Sequence, residues 1–190
     1  MSTDPIVFAG VEFSSGRKPV TFAALDDDLN VKSLQMWSIP EALTCLKGYE
    51  QIWLGISLPV RELDLSRDFK KQLNEADFTP YSQKNSSRQF LETNAQDCFH
   101  ALIGKKPFPR RTLEGRLQRS AVLYEQGLQI TDPIEIFEEI TRFKLVQGIL
   151  PLENIYSTKE LDALIAAYLA WLAVNRPGQI VLRGEFALPA

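Results

Sequence analysis

A single carboxylate, that of Asp162, stands inside the most apolar stretch of the sequence. From Leu161 to Val174, all residues except Asp162 are apolar or tyrosine. This pattern is typical of a helix that is buried on most sides. A buried carboxylate is costly unless it is paired with a cation, hydrogen-bonded or bound to a metal. The alternative is that Asp162 lies in the first turn and stabilises the positive end of the helix dipole. The chemistry of the chain therefore depends on which groups contact the Asp162 carboxylate.

The basic residues are concentrated in one segment in the middle of the chain. Its members are Lys105, Lys106, Arg110, Arg111, Arg116 and Arg119, with Phe108 among them. On a loop that leads into a helix, such a segment could hold the phosphates of nucleic acid. The alternative is an ordinary solvated basic face.

Other polar residues have simpler interpretations than catalysis. Three consecutive aspartates, Asp26 to Asp28, could hold a metal, but aspartate-rich turns are typical of hairpins. Ser57 lacks both a neighbouring base and the Gly-x-Ser-x-Gly elbow of hydrolases. The only histidine, His100, excludes a polyhistidine metal site and lies on a segment that predicts a helix at the core or its boundary.

Composition places the chain among ordinary globular proteins. A length of 190 residues, 45% hydrophobic and 24% charged, predicts a single domain spanning 1–190. The net charge of -3 argues against nucleic-acid binding by bulk charge but allows a local basic groove. Cys45 and Cys98 lack metal-ligand spacing and need no disulfide, which favours a reducing cytoplasm. Residues 1–5 carry no signal pattern, and the apolar run is shorter than the roughly 20 residues of a membrane span.

The elements that would position these residues begin with strands. Alternation and apolar runs predict strands at 6–13, 20–25 and 31–37, joined as an antiparallel meander. A helix at 39–47, capped by Ser38, leads into a strand at 51–59. Because a helix separates it from the earlier strands, this strand is expected to be parallel to the first.

The rest of the chain is predicted to be mostly helical. Helices are expected at 63–76, 87–103 and 112–126, so that roughly 61–127 forms a helical insert. The later elements are a short strand at 134–137, a helix at 138–147, the apolar helix capped by Ser157 or Thr158, and a hairpin within 179–189. Together they predict an α/β domain with a five-stranded mixed sheet flanked by helices.

This order of elements resembles the ribonuclease-H-like fold: three meandering strands, a helix, a fourth strand, a later fifth strand and a last helix carrying an acid. The segment Leu161–Ala167 closely matches the Leu-Asp-Ala-Leu-x-Ala-Ala motif of the predicted nucleases catalogued as domain of unknown function 429. Gly10-Val11-Glu12 is similar to that family's Gly-x-Asp. Less exact counterparts of its other motifs are Gly55–Pro59, with Ser57 in place of an aspartate, Glu135–Glu138, and Gly184–Pro189.

The resemblance implies one or two Mg²⁺ or Mn²⁺ ions held between carboxylates, here Glu12, Asp162 and Glu135. Two such ions, about 3.5–4 Å apart, stabilise the attacking and leaving oxygens at a phosphodiester. Ser57 replaces one expected ligand. Glu12 is one methylene longer than aspartate, so its carboxylate is displaced by about 1.5 Å. Catalytic groups usually need placement within about 0.5 Å. The site is therefore expected to have weakened or lost activity.

Each carboxylate also has a structural alternative. Glu12 could pair with Arg142 or Lys144, and Glu135 could belong to a solvated acidic edge. The sequence thus predicts a metal-dependent nuclease with a degenerate acidic site. The alternative is a non-catalytic binding or assembly protein on the same scaffold, for example a homodimer that uses Trp37 or Trp171.

Overall fold

The computed structural model describes residues 6–58, 64–81, 86–148 and 155–190, without the side chains of 143–145. Eight strands and six helices lie in these ranges. The strands are β1 Val7–Phe13, β2 Val20–Leu25, β3 Val31–Trp37, β4 Ile52–Ser57, β5 Thr79–Pro80, β6 Arg88–Thr93, β7 Ile180–Arg183 and β8 Phe186–Pro189. The helices are α1 Ile39–Lys47, α2 Asp64–Asn74, α3 Ala95–Ile103, α4 Leu113–Glu125, α5 Pro133–Val146 and α6 Thr158–Asn175.

All eight strands belong to one mixed sheet, in the order β3-β2-β1-β4-β6-β8-β7, with β5 paired to β6. β1, β2 and β3 form the predicted antiparallel meander. β4 is parallel to β1 as expected, and β7 and β8 form the predicted hairpin. The α/β class is therefore confirmed, whereas the expected number of five strands in the sheet is wrong.

Helix α6 covers one face of the sheet in backbone contact with its central strands. A β-carbon on Gly10 would lie 2.0 Å from the carbonyl oxygen of Ala163, and one on Gly55 would lie 2.0 Å from that of Ala166. Only glycine fits at these two strand positions, which explains how the alanine-rich helix reaches the sheet. Side chains of α1 and α2 cover the opposite face, among them Leu46.

The prediction of a helix over 87–103 is wrong in its first half. β6 occupies Arg88–Thr93 and pairs with β4 along its whole length. The helix begins only after Asn94, whose side chain accepts hydrogen bonds from the backbone N–H groups of Gln96 and Asp97. The segment 61–127 is consequently not a purely helical insert, because β6 is an interior strand of the sheet. The predicted boundaries at Pro59 and Leu63 lie outside the described residues.

The predicted strand at 134–137 is also wrong, because these residues belong to α5. Pro133 occupies the first helical position, where its missing N–H costs nothing. The Asp132 side chain accepts a hydrogen bond of 2.8 Å from the N–H of Ile134. Ile136 and Ile140 are buried, and their spacing of four residues is helical rather than alternating.

The helices and the cysteines relate to two further predictions from the sequence. Within the described ranges, none of the helices is long and apolar enough to cross a membrane. Cys45 and Cys98 are both free thiols.

Candidate acidic site at the end of the parallel strands

A row of buried polar side chains crosses the sheet where β1, β4 and β6 end. Glu12 stands opposite Thr21 in the antiparallel pair with β2 and opposite Ser57 in the parallel pair with β4. Ser57 in turn stands opposite Thr93 on β6. All four residues are buried. The carboxyl ends of parallel strands are a common location of ligand sites in open α/β sheets.

Helix α6 brings Asp162 to this row. Ser157 caps the helix and forms a capping box with Glu160, so the first helical residue is Thr158. Asp162 is therefore in the second turn, not in the first turn as expected. The helix dipole acts mainly within the first turn, so it does not account for a carboxylate that is only 2% exposed.

Glu12 and Asp162 line one cavity of about 120 Å³. Its full lining is Glu12, Ser57, Leu58, Asn94, Ala95, Gln96, Arg110 and Asp162. The Asp162 Oδ2 atom lies 3.5 Å from Nη1 of Arg110. Gln96 donates a hydrogen bond of 3.4 Å from Nε2 to Oδ1 of the same carboxylate.

The two carboxyl groups differ in how readily they ionise. Burial, reinforced by the negative charge of Asp162, raises the pKa of Glu12 to about 8, against the lowering effects of a Ser57 hydrogen bond and of Arg110 and Lys159. Burial also raises the pKa of Asp162 to about 6, against the charge of Arg110 and of Arg119. At neutral pH the ligand-free site therefore holds a mostly protonated Glu12 beside an ionised Asp162.

Arg119 holds Gln96 in position although it does not itself line the cavity. It is only 2% exposed and donates from Nη2 to Oε1 of Gln96 at 2.9 Å. Its Nη1 donates to the carbonyls of Gly115 and Phe108. Because the Gln96 oxygen is held by Arg119, the Gln96 amide nitrogen must face Asp162.

Sequence reasoning missed Gln96 and placed Arg119 among surface cations. A signal was present in α4, where Gly115, Arg119 and Leu123 recur at intervals of four residues and are all buried. That spacing puts Arg119 on the inward face of the helix. A long charged residue on an inward face indicates a buried polar network.

The basic segment divides into one residue at the site and several outside it. Arg110 lines the cavity. Lys105, Lys106 and Arg111 are exposed on the connection between α3 and α4 and do not line it. Of the four predicted nucleic-acid contacts, the structure thus brings only Arg110 to the carboxylates.

Glu135 does not join Glu12 and Asp162. It is exposed on α5 and is not part of the cavity lining, because its segment is helical rather than an interior strand. Arg142, an expected partner of Glu12, is exposed on the same helix, and the side chain of Lys144 lies outside the described residues.

The remaining polar candidates lie away from the cavity. Asp26 accepts hydrogen bonds from the backbone and side chain of Asn30 and pairs with Lys32 at 2.8 Å. This agrees with a hairpin turn rather than a metal site. His100 is exposed on α3 rather than at the core.

The donor set at the cavity suits one hard cation rather than two. Within the described part of the chain, no group of three or more His, Cys, Asp or Glu residues could hold a metal. Asn94 is already used, since its amide donates to the Leu58 carbonyl and its oxygen caps α3. The remaining oxygen donors are the carboxylates of Glu12 and Asp162 and the hydroxyl of Ser57, although both Asp162 oxygens already lie against Arg110 and Gln96. Mg²⁺ is commonly bound by one or two carboxylates, with water and substrate phosphates completing its shell.

An orphaned hydroxyl lies beside this donor set. The Oγ1 atom of Thr21 is buried without a hydrogen-bond partner, in register with Glu12. Buried hydroxyl groups are normally satisfied by protein or ordered water. Thr21 does not itself line the cavity, but its hydroxyl is suited to a water molecule beside Glu12.

No family model matches this chain, and a search of the curated proteins finds no match. Its function is therefore inferred from the chemistry of the site: two buried carboxyl groups, one hydroxyl and one arginine. The resemblance to the domain of unknown function 429 family stays a prediction.

Proposed function

We propose that this chain is a metal-dependent phosphodiesterase acting on nucleic acid, with an acidic site reduced to two carboxylates. The observation that carries the proposal is the meeting of Glu12 and Asp162 in one cavity at the carboxyl ends of β1 and β4. These residues come from segments 150 positions apart in the chain, Gly10-Val11-Glu12 and Leu161–Ala167. They are the two segments that most resemble motifs of the predicted-nuclease family.

The order of elements supports a ribonuclease-H-like organisation. The meander β1–β3, then α1 and the parallel strand β4, are followed by β6 and finally by α6 with its acid. β6 takes the place of the later fifth strand that the sequence placed at 134–137. The strand β6 lies beside β4, so its end is adjacent to Ser57 and the cavity.

Each residue at the cavity has a role in this proposal. A bound Mg²⁺ or Mn²⁺ ion would neutralise phosphate charge and make a bound water more acidic. Glu12 and Asp162 would hold the ion, and Glu12 must lose its proton to do so. Ser57 stands in register with Glu12, so its hydroxyl would help to orient the Glu12 carboxylate. Arg110 is placed to bind phosphate oxygens, which its planar guanidinium can hold in pairs.

Calorimetric titration with Mn²⁺ tests the proposal directly. At pH 7 we expect one site, and about one proton released per ion because Glu12 is mostly protonated beforehand. The proton count follows from titrations in two buffers with different ionisation enthalpies. Asp162→Asn should abolish binding, whereas Asp28→Asn, which removes an exposed carboxylate, should not.

Hydrolysis is then measured on single- and double-stranded oligonucleotides with Mn²⁺ or Mg²⁺. We expect cleavage by the wild type and by Asp28→Asn, but not by Asp162→Asn. Asp162→Asn is expected not to bind Mn²⁺. If the wild type also fails to bind Mn²⁺, the proposed metal-dependent function is wrong.

A second candidate is a non-catalytic binding protein, favoured by the ion pair between Arg110 and Asp162. This pair and a protonated Glu12 leave the cavity nearly neutral without any metal. Trp171 offers no support for an assembly face, because it is buried and donates to the carbonyl of Asp27. Trp37 is half-buried and stacked on Phe22. Nucleic-acid binding that survives both EDTA and Asp162→Asn would favour this candidate.

A further inference from the structure

Both oxygens of the Asp162 carboxylate are occupied by donors from this chain. Arg110 lies against Oδ2 and Gln96 donates to Oδ1. A cation that binds this carboxylate therefore competes with these donors for its lone pairs, and it is repelled by the positive charge of Arg110. Which of the two donors can move determines how the site opens.

Gln96 is the fixed donor. Its oxygen accepts a hydrogen bond from Arg119, and Arg119 is held by two backbone carbonyls and packs over the ring of Phe99 at 5.3 Å. Moving Gln96 would leave a buried guanidinium with one partner fewer. Unsatisfied buried charged groups are costly, so Gln96 stays in place.

Arg110 is the movable donor. Its side chain is 39% exposed, whereas that of Asp162 is 2% exposed. It lies on the connection between α3 and α4, next to the exposed Arg111. A half-exposed guanidinium can exchange a carboxylate for a phosphate, with which it makes charge-assisted hydrogen bonds.

We propose that Arg110 is a latch on the acidic site: it holds Asp162 until a phosphodiester draws it away, so that phosphodiester and divalent cation bind cooperatively. The guanidinium repels a second cation at the same carboxylate, and its departure removes that repulsion. By linkage, the cation must raise the affinity for the phosphodiester by the same factor. The identity of the cation rests on the proposed function.

The test measures Mn²⁺ affinity from the electron paramagnetic resonance signal of free Mn²⁺. Titrations are run alone, with a short oligothymidylate, and with its uncharged methylphosphonate analogue, each corrected by a protein-free titration. The variants are Arg110→Gln and, as a matched control, Arg111→Gln, which removes the same charge from the neighbouring exposed position. Thermal unfolding verifies that both variants are folded.

For the wild type we expect the oligothymidylate to tighten Mn²⁺ binding about tenfold, within the usual range of coupling between sites. The methylphosphonate analogue should have no effect. Arg110→Gln should bind Mn²⁺ more tightly than the wild type without any oligonucleotide, and should gain nothing further from it. Arg111→Gln should retain the wild-type coupling.

The outcomes separate the latch from the proposed function. If Arg110→Gln binds Mn²⁺ no more tightly than Arg111→Gln, or keeps the coupling, the latch is overturned while the metal site stands. If only Arg110→Gln binds Mn²⁺, with the oligothymidylate as well as without it, the phosphodiester does not release Arg110, and both the latch and the proposed function of the wild-type protein are overturned. If no variant binds Mn²⁺, both proposals are overturned.

Discussion

The carbonyl oxygen of Ala163 lies 2.0 Å from the point where a β-carbon on Gly10 would stand. The next residue of the helix is Leu164, and the preceding one is Asp162, so this contact is immediately beside the acidic site. The contact between α6 and β1 is therefore among the closest in the protein, and it helps to place Asp162 in the same cavity as Glu12.

Gly10→Ala should destabilise the protein because the added carbon overlaps a backbone atom that cannot turn aside. Overpacking of this kind costs about 1–3 kcal/mol, and occasionally more. Gly55→Ala should behave similarly, since its β-carbon would stand 2.0 Å from the Ala166 carbonyl oxygen. Urea unfolding measures the change, with Gly178→Ala as the control because nothing lies within 4 Å of its β-carbon. Equal stabilities of all three variants would contradict the close packing.

Stability should fall as pH rises in metal-free protein. The pKa of Glu12 is raised from 4.5 to about 8, so between these values the native state keeps a proton that the unfolded chain has lost. The free energy of unfolding then decreases with increasing pH. Asp162 adds a similar decrease from pH 3.8 to about 6. Urea unfolding in EDTA at several pH values between 4.5 and 8.5 measures the slope.

Glu12→Gln isolates the contribution of Glu12 to this pH dependence. The variant cannot ionise, so we expect it to be more stable than the wild type at pH 8 by roughly 4 kcal/mol, at 1.36 kcal/mol per pKa unit. Near pH 4.5 the difference should largely disappear. A Glu12→Gln profile parallel to that of the wild type would show that another group is responsible.

Ser57→Asp should strengthen the metal site at the expense of the metal-free fold. Position 57 stands opposite Glu12 and corresponds to an aspartate in the resembling family. A third buried carboxylate should tighten Mn²⁺ binding at least tenfold. Without metal it should lower the free energy of unfolding by about 3 kcal/mol, as an uncompensated buried charge does. Ser57→Asn is the control, because asparagine has nearly the same size as aspartate but is neutral. Equal Mn²⁺ affinities of the two variants would refute the prediction.

Thr21→Val tests whether a water molecule binds the Thr21 hydroxyl beside Glu12. The Thr21 hydroxyl is buried without a partner, and an unsatisfied buried polar group costs about 1–3 kcal/mol. We expect the valine variant to be more stable than the wild type by about 1 kcal/mol in EDTA, but to bind Mn²⁺ more weakly because an ordered water loses a partner. Thr44→Val, at an exposed position whose hydroxyl bonds a helix carbonyl, should change neither quantity appreciably.

Sequence reasoning was accurate where one local pattern dominated. The strands of the meander, β4, α1 and α6 are apolar or alternating segments bounded by turn or capping residues. Ser38 caps α1 as expected, and Ser157, one of the two expected caps, caps α6. The prediction failed at β6 because Arg88–Thr93 is short, lacks strict alternation and runs almost directly into a helix, so the local pattern does not separate the two elements. The one local signal was Asn94, a residue type favoured at helix starts, in the middle of the presumed helix.

Only part of the acidic site could be predicted from the sequence, because some of its residues are defined by contacts between distant segments. Asp162 is conspicuous as an acid in an apolar segment, and Glu12 is proposed through the resemblance of Gly10-Val11-Glu12 to a family motif. Glu135 was assigned through a strand that is in fact a helix. Gln96 and Arg119 were missed because their role depends on contacts between α3 and α4, which no local pattern contains.

The glycine contacts at Gly10 and Gly55 also determine from which side a ligand reaches the carboxylates. Since α6 is in backbone contact with β1 and β4, neither the helix nor the sheet can withdraw without breaking the core. The remaining lining of the cavity comes from Leu58, from the start of α3 and from the connection that carries Arg110. Arg110 is 39% exposed whereas both acids are buried, so an approaching phosphodiester meets positive charge before it meets either acid.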